Sequence, residues 1–131
     1  MARLLAAALG IVALAGAVLS AQAIRNVPRI SIDELKALMA LKAVLVIDVR
    51  DVDAFAKGRI PGAVNVDYTR ILQQAEKFKG DKRTIVTYCA CAREMTAARA
   101  AVDLATNGVP GAKALVGGWD EWVQRGEEIE K

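Results

Sequence analysis

The sequence contains no histidine and only two cysteines among its 131 residues. Those two shortages exclude a good deal. A structural zinc site takes four ligands, and two cysteines without a histidine cannot supply them. A cysteine hydrolase of the papain type requires an imidazole base beside its thiol, so that class is excluded as well. Aromatic residues make up only 5% of the chain. The one basic cluster, KFKGDKR (Lys77 to Arg83), has Phe78 alone interleaved, so it reads as a solvated face and not as a nucleic-acid surface. The formal charge of +3 is spread with both signs interspersed. The sequence shows neither an internal repeat nor a low-complexity tail.

The chain does carry a leader-like start. From Met1 to Ala23 there is a single charge, Arg3, then a nearly unbroken apolar run from Leu4 to Leu19, then SAQA. A basic start, a short apolar stretch and small residues at Ala21 and Ala23 describe a secretory signal peptide, with the cut between Ala23 and Ile24. An uncleaved membrane anchor is the competing reading. The run falls just short of the roughly 18 residues a spanning helix needs, and Gly10 and Gly16 interrupt it. No cysteine follows the run to accept a lipid, and there is no twin arginine. The expectation is export, to a bacterial periplasm, with no membrane attachment after cleavage. The remainder is long enough for one core without staples.

Beyond the leader, Ile24–Ile30 reads as an extended lead-in, with Pro28 opposing a helix. Ser31 and Glu34 stand at capping-box spacing before an amphipathic stripe of Ile32, Leu35, Leu38 and Met39. AVLVIDV (Ala43 to Val49) is a short β-branched run, the mark of a strand buried on both faces. A short helix on Val52, Phe55 and Ala56 follows, then IPGA turn chemistry and a brief strand at Val64 and Val66. Tyr68–Lys79 reads as a helix, TIVTYC as a second firm strand and Met95–Thr106 as a helix closed by Asn107-Gly108. AKALVGG reads as a third strand and WDEWVQRG as a last helical turn. Strands alternating with helices predict a parallel-sheet α/β domain.

Both cysteines fall where the second firm strand hands over to a helix. Cys89 ends the strand and the helix begins about six residues later, so backbone N–H groups and a helix dipole face whatever the loop encloses. A thiol there is stabilised as thiolate, below its free pKa of about 8.5. The loop Ala90-Cys91-Ala92-Arg93-Glu94 is small at its first positions and leaves room for a substrate. A nucleophilic cysteine is one reading; a buried cysteine acting as a small hydrophobe is the other. Two cysteines one residue apart close no useful loop, so they do not act as a structural staple. A cysteine-loop phosphatase would place an arginine at the sixth position after its nucleophile, but that position holds Met95 counted from Cys89 and Ala97 counted from Cys91. A nucleophile without an acid–base partner suits chemistry whose leaving group needs no proton, and sulfur transfer is of that kind.

Three segments together carry a resemblance. VLVIDVRDVDAFAKGRIPGAVNV resembles the strand-aspartate-arginine segment and Gly-x-Ile-Pro-Gly-Ala turn of rhodanese-like domains. IVTYC resembles the strand that delivers their active cysteine, and ALVGGWDEW their closing Leu-x-Gly-Gly signature with its tryptophan. The likeness runs over residues 31–126. It implies a rhodanese-like fold, a central parallel five-stranded sheet flanked by helices, with Cys89 cycling through a persulfide and no cofactor or metal. The loop Ala90, Cys91, Ala92, Arg93, Glu94 and Met95 would cradle the substrate, and Asp48 and Arg50 would form a strand-end ion pair bracing it. The implied partners are a small-molecule sulfur donor and a thiol or other thiophilic acceptor, small molecule or protein. Two positions depart from the family's pattern. Arg59 stands where a histidine is common, and Glu94 stands where the loop commonly carries a cation, with Arg93 one residue earlier. The loop thus reads Cys-x-Cys-x-x-Glu-x-Thr, and a rim carboxylate is expected to oppose a dianionic donor such as thiosulfate. The dithiol also supports a reading from another class: a non-catalytic or redox-sensing binding module on the same fold.

Overall fold

The computed structural model describes the backbone of residues 2–131 and the side chains from Val12 onward; of the expected leader, Met1 and the side chains of residues 2–11 lie outside the described residues. Helix α1 spans Ala2–Asn26, so the expected extended lead-in is corrected: helix continues through Asn26, and only Arg29–Ile30 (β1) is strand. Alanine-rich sequence sustains the helix, and Pro28 ends it by forcing the preceding residue out of the helical region. The edge strand of the sheet therefore begins two residues before the segment that carries the family likeness. Among the described residues no helix is long and apolar enough to cross a membrane.

Four more strands follow: β2 (Val44–Asp48), β3 (Val64–Asn65), β4 (Thr84–Tyr88) and β5 (Lys113–Leu115). All pair in parallel in the order β1-β5-β4-β2-β3, which puts β4 at the centre. The inner strands β2 and β4 are rich in β-branched residues because helices cover both faces. One face carries Leu45, Ile47 and Ile85 against α4 (Ile71–Gln74) and α5 (Met95–Thr106), with Ile24 at the α1 end and Val27 just beyond it packed on it. The other carries Val46, Val86 and Tyr88 against α2 (Ile32–Ala40), α3 (Val52–Lys57) and α6 (Gly118–Gln124). The expected capping box is present: Ser31 Oγ accepts from the Glu34 amide at 3.2 Å, and Glu34 Oε2 accepts from the Ser31 amide at 2.8 Å.

The stretch expected as one helix from Tyr68 to Lys79 is broken into three. A 3-10 turn at Tyr68–Arg70 leads into α4, and a second at Ala75–Phe78 follows it. Arg70 (φ −112°, ψ 0°) and Gln74 (φ −104°, ψ −4°) sit at the margin of the helical region at the two junctions. The short pieces still turn Ile71, Ala75 and Phe78 into the core, so burial holds the segment where hydrogen bonding is interrupted.

Candidate functional site

The carboxyl end of β4 is where the chain's chemistry collects. Val86, Thr87 and Tyr88 are fully buried and Cys89 is 4% exposed, so the cysteine leaves the sheet from its rigid centre. Thr87 Oγ1 donates to the Ala97 carbonyl at 2.8 Å and fastens the strand to α5. Between them lies the loop, in which Ala90, Ala92, Arg93 and Met95 are exposed while Cys91 and Glu94 are half-buried.

Asp48 and Arg50 form the expected strand-end ion pair, and the contacts of the guanidinium reach further. The guanidinium clasps the carboxylate of Asp48 through Nε (3.0 Å) and Nη2 (2.6 Å) and donates again to the Gly58 carbonyl at 2.7 Å. Burial disfavours the Arg50 charge, but the Asp48 carboxylate outweighs it and the pKa of Arg50 is raised. Tyr88, next to Cys89 in the chain, donates its hydroxyl to Asp48 Oδ2 at 2.6 Å and accepts from the Ile60 amide at 3.2 Å. Burial, then the hydrogen bond to the Asp48 carboxylate, pushes its phenol well above the usual range, so it stays a donor at any working pH. On the other side the Arg50 guanidinium lies 4.3 Å over the Trp119 ring, and the Trp119 amide donates to the Cys89 carbonyl at 2.9 Å. The pair thus steadies Cys89 from two directions, through Tyr88 before it and Trp119 beneath it. Asn65 completes the brace, its Nδ2 donating to the carbonyls of Asp48 (3.0 Å) and Arg50 (2.9 Å).

The Gly117-Gly118 turn closes the site from below. Gly118 has φ +53°, and a Cβ there would collide with the Cys89 carbonyl oxygen, so only glycine lets β5 deliver Trp119 against that carbonyl. Gly117, at φ +72°, donates its amide to Glu94 Oε1 at 2.8 Å. Glu94 Oε2 in turn faces Arg29 Nε at 3.6 Å. The carboxylate expected at the loop rim is therefore tied back onto the turn and β1, where it anchors the loop. Arg93 and Glu94 are consecutive non-glycine residues in the left-handed region (φ 55° at both). Each such residue costs about 1–2 kcal/mol, and Glu94's two partners help hold this curled loop. Arg93 remains exposed and forms no ion pair among the described residues. Arg59, in the family's histidine position, pairs its backbone with Glu130 and donates from Nε to Glu130 Oε2 at 3.2 Å. It pins the C-terminal segment, away from the loop.

Of the loop amides expected to cradle an anion, that of Glu94 turns back to the Cys91 carbonyl (3.4 Å) and that of Met95 to the Ala92 carbonyl. The amides of Ala90, Cys91, Ala92 and Arg93 have no protein acceptor among the described residues. The two sulfurs are joined: Cys89 and Cys91 form a disulfide, with Cα atoms 5.6 Å apart. A Cys89 nucleophile therefore exists only once that bond is reduced. Sequence reasoning placed the brace and the loop together, but it assigned no role to Tyr88, Trp119, Asn65 or the glycine pair.

A buried cysteine leaving the central strand of a five-stranded parallel sheet, framed by an aspartate-arginine brace and a glycine-glycine turn, defines a class. The chain belongs to the rhodanese-like domain family, whose model matches residues 31–125. It is 30% identical over 112 residues to a human thiosulfate:glutathione sulfurtransferase, covering 75% of this chain and 95% of that protein. It is also 30% identical over 82 residues to 3-mercaptopyruvate sulfurtransferase of Escherichia coli, spanning 29% of that longer enzyme. Among solved structures, a human single-domain sulfurtransferase superposes with a TM-score of 0.67 at 26% identity, over 76% of this chain and 98% of that one. A protein from Bacillus halodurans superposes with a TM-score of 0.70 at 28% identity, over 79% and 76% respectively.

Proposed function

We propose that the protein is an exported sulfurtransferase that carries sulfane sulfur on Cys89 as a persulfide. The observation that carries this reading is the setting of Cys89: a buried cysteine at the end of the central strand, opening a loop with four amides unpartnered among the described residues, in a chain whose relatives are sulfurtransferases. The reduced Cys89 thiolate attacks the sulfane sulfur of a donor of the thiosulfate or 3-mercaptopyruvate kind. The loop amides stabilise the bound anion and then the persulfide. No proton is needed on a sulfite leaving group, in keeping with a site that has no histidine. A thiol or other thiophilic acceptor removes the sulfur in the second step. The test is donor consumption by reduced protein: one sulfite should appear per chain on adding thiosulfate, and none with Cys89→Ala. Equal sulfite release from both proteins would end the proposal.

Export rests on the leader pattern of Met1–Ala23. The packing agrees with a cut after Ala23, because Val12, Leu14, Val18 and Leu19 are exposed whereas Ile24 and Val27 pack on the core. Amino-terminal sequencing of the protein isolated from its native host should find Ile24. A membrane-bound form retaining Met1 or Ala2 would make it an anchored domain instead.

The Cys89–Cys91 disulfide favours a second reading, a redox-sensing module in which the dithiol itself is the functional group. Titration of native protein that takes up no sulfur after reduction, yet cycles reversibly between two thiols and none, would select it.

A further inference from the structure

The second cysteine has no place in the transfer chemistry above, yet its sulfur is bonded to that of the first. We propose that Cys91 is the built-in acceptor of the Cys89 persulfide, so that the protein releases hydrosulfide and is reset by a dithiol reductant. The inference rests on the persulfide reading and adds to it the identity of the acceptor and the class of the final electron donor.

The geometry carries the step. The loop lets the two sulfurs reach bonding contact with the backbone folded as it is, Cα to Cα 5.6 Å. Only Ala90 separates them, and its exposed methyl leaves the path between the sulfurs clear. The loop is held in this curl by the Glu94 carboxylate on the Gly117 amide, and the Cys89 carbonyl is fixed by Trp119. A thiol so placed acts at an effective concentration that free thiols in solution do not approach. Cys89 is a buried residue with its sulfur bonded to Cys91, whereas Cys91 is half-buried and the more accessible of the two.

The chemistry balances. In the first step Cys89 takes the sulfane sulfur and sulfite leaves. In the second, the Cys91 sulfur attacks the Cys89 sulfur, the Cys89–Cys91 bond forms and the bond to the sulfane sulfur breaks. That sulfur departs as hydrosulfide with the bonding electron pair and the proton lost by Cys91. The two cysteines are thereby oxidised to a disulfide and the sulfane sulfur is reduced. In the third step a dithiol reductant attacks the more accessible Cys91, expels Cys89 as a thiolate and closes its own disulfide. The sum is thiosulfate plus dithiol giving sulfite, hydrosulfide, a proton and the oxidised dithiol. On this account the disulfide in the structure is the state that follows hydrosulfide release.

The test uses reduced, desalted full-length protein and thiosulfate, with no thiol added. Wild type should release one hydrosulfide per chain and finish two hydrogen atoms lighter than its reduced form. Cys91→Ser should release none and finish one sulfur atom heavier. Wild type that holds the extra sulfur stably, with no hydrosulfide, would overturn the proposal while leaving the persulfide reading intact. If neither protein yields sulfite, hydrosulfide or an added sulfur, the persulfide reading fails and takes this inference with it. The wild-type arm stands alone should the variant misfold.

Discussion

Tyr88 shows how much of the site is built from a group that takes no part in chemistry. Its hydroxyl joins the buried Asp48 carboxylate to the Ile60 amide. Tyr88→Phe would strip a donor from a buried carboxylate and an acceptor from a backbone amide. Unsatisfied buried groups of this kind cost about 1–3 kcal/mol each, so chemical denaturation should register a loss on that scale. Because Tyr88 precedes Cys89, turnover should fall even at temperatures where the variant is fully folded. A variant equal to wild type in both stability and turnover would show that the Asp48–Arg50 brace does not act through Tyr88.

At the loop, Arg93 and Glu94 are neighbours with opposite tasks. Arg93 is exposed and has no ion-pair partner among the described residues, and a cation so placed contributes mainly uniform binding of a charged substrate. Arg93→Ala should therefore raise KM for anionic donors more than it lowers kcat. Glu94→Gln keeps an acceptor for the Gly117 amide and loses the charge facing Arg29. It should improve use of thiosulfate, because the fold holds while a negative charge disappears. Steady-state kinetics with thiosulfate check both variants. If Glu94→Gln leaves those kinetics untouched, the carboxylate acts only as an anchor.

At the scale of elements, short-range chemistry was the legible part. The α2 cap, strands β2 and β4 and the bounds of α5 all follow from spacing and composition within a dozen residues. The cap also sets a pH dependence. Its hydrogen bonds from the Ser31 backbone and hydroxyl lower the Glu34 pKa below the usual carboxylate range. A depressed carboxylate contributes stability that is present above its unfolded pKa and lost as pH falls through its folded value. Glu34→Gln should therefore flatten the acid side of a Tm-against-pH profile below about pH 5. A residual slope should remain at lower pH, because the Arg83 side chain and amide hold Asp81 down at about 2. An unchanged acid limb in Glu34→Gln would remove the capping box from the account. The elements that eluded sequence reading depend on distant partners. The Tyr68–Lys79 segment is broken into turns by the way its apolar residues reach the α5 face, and β1 exists only because β5 lies beside it.

Seen as a whole, the molecule gathers residues from five regions around one carbonyl and one sulfur: the β2 end, Gly58 and Ile60, the β4 end, the loop and the Gly117–Trp119 turn. The resemblance located Cys89, the loop and the Asp48–Arg50 pair by motif, and the structure brings all of them to one end of the sheet. It could not supply the contacts of Trp119 with Cys89 or of Glu94 with Gly117, which join positions 30 and 23 residues apart, the first through two backbone groups and the second through a backbone amide that any residue could offer. Nor could spacing alone say that the rim carboxylate is tied back, since that depends on two successive left-handed residues.

The central claim is that Cys89, and no other residue, receives sulfane sulfur. The most direct measurement is the intact mass of reduced Cys91→Ala after incubation with thiosulfate or 3-mercaptopyruvate, beside the same protein also carrying Cys89→Ala. The account expects one added sulfur atom in the first protein, removable by cyanide and mapped to the peptide containing Cys89, and none in the second. Sulfur retained in the absence of Cys89, or absent from both proteins with every donor, would contradict it.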